Sequence, residues 1–87
     1  MDLRAFHAAL HDGVEKERAL RWAEAAELYA HLAQASSDPG MRAVALLRAG
    51  NAWMELRRWD EARAALDGGL HEAKADRLRA LLGRKLV

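Results

Sequence analysis

His7 and His11 stand four residues apart, the spacing at which two imidazoles on one helix face can share a metal ion, and Asp12 lies beside them. No third ligand follows at a recognisable interval and the chain has no cysteine, so the pair reads as polar helix surface and no metal or cofactor is expected. His31 and His71 have no better company. General acid and base work needs two titratable groups whose environments hold their pKa values apart. Glu15, Glu17, Glu24, Glu27 and Glu72 fall mostly at intervals that pair them with Arg or Lys along a helix, which makes them surface charges. The only serines, Ser36 and Ser37, sit in a linker and offer no nucleophile turn. Gly68 and Gly69 lack the spaced glycines and the lysine of a phosphate-cradling loop. The expectation is therefore a protein with no catalytic residues that is not an enzyme.

The elements that carry these residues follow from composition. The 87 residues have room for one small domain, 52% of them are hydrophobic and 31% charged, too apolar for a disordered segment and too charged for a membrane protein. There is no Ile and no Thr, and Ala, Leu, Arg and Glu dominate, so strands have little to be built from and the fold class is all-α. Fourteen basic and thirteen acidic side chains give a net charge of +1, and no polyanion is favoured by the overall field. Arg77, Arg79, Arg84 and Lys85 form a basic cluster, a weak basis for nucleic-acid binding because the remaining charges are balanced, and no nucleic-acid partner is expected. No apolar run reaches the roughly 18 residues of a spanning helix, and Asp2, Arg4 and His7 interrupt the start where a signal peptide is apolar. With cysteine absent, a reducing, cytoplasmic setting with no membrane partner is expected.

Apolar spacing of three and four places helices along the chain. Leu3, Phe6, Leu10 and Val14 mark the first, capped by Asp2 and running to about Leu20. Trp22, Ala25, Ala26, Tyr29, Leu32 and Ala33 mark the second, joined so tightly that the two fold back as a hairpin. Ser36 to Gly40 is the clearest punctuation, with Asp38 as N-cap and Pro39 in the first turn of a third helix through Val44, Leu47, Ala49, Ala52, Trp53 and Leu56. A fourth opens at Trp59 with Ala62, Ala65, Leu66 and Leu70. Gly68 and Gly69 each cost a helix interior about 1 kcal/mol relative to Ala, yet continuation to about Ala73 is favoured. Asp76 to Leu86, with Leu78, Leu81, Leu82 and Leu86 on one face, predicts a fifth, lid-like helix that either seals the stack or swaps into a partner.

Trp22, Ala25, Tyr29 and Leu32 fall on Trp59, Ala62, Leu66 and Gly69 at an offset of 37 residues, which marks an internal duplication. The first copy fits better if the turn at Arg21 is one residue shorter than that at Arg57 and Arg58. The equivalent tryptophans are expected in the core. The second copy, through Leu46, Ala49, Gly50, Trp53, Trp59, Ala62 and Leu66, resembles the tetratricopeptide repeat, although the offset exceeds that family's usual 34. The resemblance implies two antiparallel helical hairpins stacked as repeats, at about 3–35 and 40–72, with a capping helix at about 74–86: some five helices in one domain, 1–87. Gly50 and Ala62 would let neighbouring helices nest.

In that family the first helices of stacked hairpins line a concave face that receives a peptide or helix. The resemblance therefore implies a peptide-binding set of Leu10, Val14 and Glu17 from the first helix and Val44, Leu47, Arg48, Asn51, Met54 and Glu55 from the third. Asn51 would bond a peptide backbone and Arg48 a carboxylate. The implied partner is a protein or peptide. Because about three repeats usually make a stable stack, the alternative is a self-association unit, a homodimer built on exposed apolar ends.

Overall fold

The computed structural model describes residues 2–85. Leu86 and the side chains of Arg84 and Lys85, named above, lie outside the described residues. The chain is all-helical there, with four helices: α1 (Leu3–Arg18), α2 (Trp22–Ala35), α3 (Pro39–Glu55) and α4 (Trp59–Lys85).

The helix starts obey local chemistry. The Ala5 N–H donates to the Asp2 carboxylate at 2.8 Å and the Met41 N–H to that of Asp38 at 3.0 Å, satisfying first-turn donors that would otherwise be orphaned. The ends of α1 and α3 share one motif. Leu20 and Arg57 adopt left-handed backbone, φ 62° and 58°. The next N–H reaches back five residues, Arg21 to the Lys16 carbonyl at 2.9 Å and Arg58 to the Trp53 carbonyl at 3.0 Å, closing a Schellman turn. No glycine relieves these positions, and a side chain there costs on the order of 1–2 kcal/mol. The two turns have the same length, against the shorter first turn expected from the apolar pattern. Hydrogen bonding to the last helical carbonyls governs the reversal, and it operates equally in both places.

Packing repeats at the same offset. A Cβ added at Gly13 would lie 2.4 Å from the Tyr29 ring, and one at Gly50 would lie 2.6 Å from the Leu66 side chain. These contacts are 37 residues apart in both partners, and each lets a large side chain of the second helix rest on the backbone of the first. Between α2 and α3 the core is mostly alanine: Ala25, Ala26 and Tyr29 meet Ala49 and Ala52, while Leu32 and Ala33 meet Ala45 with Phe6 of α1 alongside. Small side chains on both faces bring the axes close together.

The expected fifth helix is absent as a separate element. α4 runs for 27 residues through Gly68, Gly69 and the region of the expected capping helix, about 40 Å at 1.5 Å per residue, in a molecule 46 Å along its longest axis. Tertiary contact offsets the glycines' low propensity: a Cβ at Gly69 would lie 2.8 Å from the Leu47 side chain, so the gap is filled by α3. Farther along, Glu72 pairs with Arg42 at 2.9 Å and Arg79 with Asp38 at 3.0 Å, tying α4 to the start of α3. Leu78, Leu81 and Leu82 remain 51%, 47% and 61% exposed, so among the described residues they do not act as the expected seal.

Candidate functional site

One cleft opens where the end of α1, the start of α2 and the second half of α3 converge. Its volume is about 340 Å³, and Glu17, Trp22, Arg48, Asn51, Met54 and Glu55 line it. Helical spacing aligns Arg48, Asn51 and Glu55 on one stripe of α3. The Schellman turn after α1 swings Trp22 in from the opposite side. Five of the nine residues expected to bind a peptide meet here: Glu17, Arg48, Asn51, Met54 and Glu55.

The other four do not line it. Leu10 packs against both core clusters, and Leu47 lies over Gly69 in the α3–α4 contact; both are spent on helix packing. Val14 is half-buried and Val44 is exposed, and neither reaches the cleft wall. Trp22, expected in the core, also lines the cleft. It does both, since one part packs on the Ala25–Ala52 cluster while another borders the opening. Its position directly after the turn was the available signal.

Arg48 already has a carboxylate beside it. Its guanidinium stands 3.8 Å from Glu17 across α1 and α3, and the Glu17 side chain is only 19% exposed. Beneath this pair lies Tyr29, fully buried, whose hydroxyl has no hydrogen-bond partner. It lies against Glu17 and Arg48 without meeting hydrogen-bond geometry with either. Burial first, then the Glu17 charge, raise the phenol pKa above its ordinary value, and Arg48 opposes them. Glu55 makes no ion pair among the described residues. The lining thus holds two carboxylates and one guanidinium that is already shared.

A second, shallower groove of about 400 Å³ runs along α4, lined by Met54, Trp59, Ala62, Arg63, Leu66 and Asp67. Trp59 is 55% exposed there, which corrects its expected place in the core. Its equivalent Trp22 has α3 beside it, whereas no helix among the described residues follows α4 to cover Trp59. Trp53 is half-buried, with the Arg58 guanidinium 4.9 Å above its ring.

His7 and His11 have neighbours of their own. The His7 ring meets Phe6 edge-on at 6.0 Å, and His11 stands 3.9 Å from Glu15. No group of three or more His, Cys, Asp or Glu side chains clusters among the described residues. No helix there is long and apolar enough to cross a membrane. The sequence matches no family model, and neither a curated protein nor a solved structure matches it.

Proposed function

We propose that this protein is an interaction module, built in the manner of two stacked tetratricopeptide-like hairpins, that binds a peptide or helix of a partner protein in the cleft between α1, α2 and α3. What supports the stacking is the pair of glycine contacts, Gly13 on Tyr29 and Gly50 on Leu66, at one offset. What supports the binding role is the cleft itself, which sets an amide, Asn51, among the Trp22 and Met54 side chains and charged neighbours. An amide can donate to and accept from an extended backbone at once, and apolar walls with a few convergent polar groups characterise binding sites. In this reading the protein acts as a scaffold in the cytoplasm and performs no chemistry.

The test is recovery of partners from a cell extract by the intact protein and by Asn51→Ala and Met54→Asp variants, with Lys74→Ala, exposed on α4, as control. The reading requires that the cleft variants lose partners the control retains. Equal recovery by all four proteins would remove it.

A second reading, self-association, rests on α4. Trp59, Leu70, Leu78, Leu81 and Leu82 are all exposed on that one helix, and apolar side chains left to water on one element are the kind of surface an association would bury. Light scattering decides it: a strict monomer at high concentration excludes a homodimer.

A further inference from the structure

From the composition of the same cleft we infer that the partner segment presents a cationic side chain, arginine above lysine, and that Glu55 and Trp22 receive it. The inference rests on the peptide-binding reading and adds to it the chemistry of the occupant. The charge count points this way. Two carboxylates line the cleft against one guanidinium, and because that guanidinium faces Glu17 at 3.8 Å, Glu55 is the charge left over. An incoming carboxylate would meet Glu55 unpaired and an Arg48 partly neutralised; an incoming cation meets the reverse.

Shape agrees with charge. An arginine side chain is an apolar stem with a planar charged head. Met54, 42% exposed, offers a wall for the stem. The indole of Trp22 lines the cleft and would stack on the guanidinium, an arrangement the molecule already makes within itself where Arg58 lies over Trp53 at 4.9 Å. Asn51 sits one helical turn from Glu55 on the same stripe and meets the segment's backbone.

The experiment is a titration of the whole protein with four pools of short, otherwise neutral peptides whose central residue is Arg, Lys, citrulline or Glu. It is read on the Trp22 indole and Asn51 side-chain amide resonances. Citrulline keeps the shape of arginine and removes its charge. The expected order is Arg, then Lys, with Arg about tenfold tighter than citrulline, which corresponds to roughly 1.4 kcal/mol. Glu55→Gln should weaken the Arg pool by about threefold, the scale of one exposed ion pair, and leave the citrulline pool unchanged. Citrulline equal to Arg, or a preference for Glu, overturns the inference while the cleft remains a peptide site. If no pool moves either resonance, the peptide-binding reading itself is overturned, and the inference with it.

Discussion

At the scale of single residues, contacts with the same offset differ in how far they can yield. Gly13 faces the ring of Tyr29, whose side chain is rigid and fully buried, while Gly50 faces the branched end of Leu66, which is half-buried. Replacing either glycine with Ala gains about 1 kcal/mol of helix propensity and forces an overpacked contact that costs about 1–3 kcal/mol. Gly13→Ala should therefore destabilise by up to about 2 kcal/mol and Gly50→Ala by less, an order that urea denaturation midpoints can check. Tyr29 offers a second prediction. A buried hydroxyl without a partner stabilises nothing and carries a desolvation cost, so Tyr29→Phe should be neutral or stabilising by up to about 1 kcal/mol. Because burial raises the phenol pKa, the stability that depends on its protonated form is intact below about pH 10 and is lost as pH rises through the raised folded value. Tyr29→Phe should blunt that alkaline loss in thermal melts.

At the scale of helices, α4 separates propensity from packing within two adjacent residues. A Cβ at Gly68 meets only a Leu46 methyl at 3.4 Å, ordinary contact, whereas one at Gly69 meets the Leu47 side chain at 2.8 Å and the Leu47 backbone nitrogen at 3.3 Å. Gly68→Ala should stabilise by about 0.5–1 kcal/mol, and Gly69→Ala should destabilise, since backbone cannot move aside as a side chain can. Melting temperatures of the two variants should shift in opposite directions. The junction of α2, α3 and α4 carries a pH prediction. The Met41 N–H, and then Arg79, hold the Asp38 carboxyl below its ordinary pKa. A depressed carboxyl contributes stability that is present above its unfolded value and is lost as pH falls through the folded one. Acidification below about pH 4 should thus destabilise the wild type more than Asp38→Asn, which keeps a capping oxygen but has no charge to lose.

At the scale of the molecule, its two ends explain why the alanine-lined packing of α2 on α3 is not continued outward. On α2, Ala26 and Ala33 are buried by α3; their equivalents on α4, Arg63 and Leu70, are exposed. On α3, Ala49 and Ala52 are buried by α2; their equivalents on α1, Asp12 and Glu15, are exposed. Charges stand at three of these four positions, Asp12, Glu15 and Arg63, where alanines would admit another unit, and burying them against apolar surface would cost several kcal/mol. Asp12→Ala, Glu15→Ala and Arg63→Ala combined should therefore promote head-to-tail association. The check is light scattering, in which the variant's apparent mass should rise with concentration above that of the wild type. An unchanged mass would refute this account of the ends.

The sequence alone determined the helical class, the caps at Asp2 and Asp38, the offset of 37 and the stripe Arg48, Asn51 and Glu55, because each depends on residue type and local spacing. Tertiary structure decided what depends on which helix lies alongside. Gly68 and Gly69 stay inside one long α4 because α3 fills the space above Gly69. Leu10 and Leu47 are drawn into packing, Trp22 becomes a cleft wall, and Trp59, the same residue type after the same turn, is left in solvent because no described helix follows it. Burial is a property of neighbours, and no local pattern contains them.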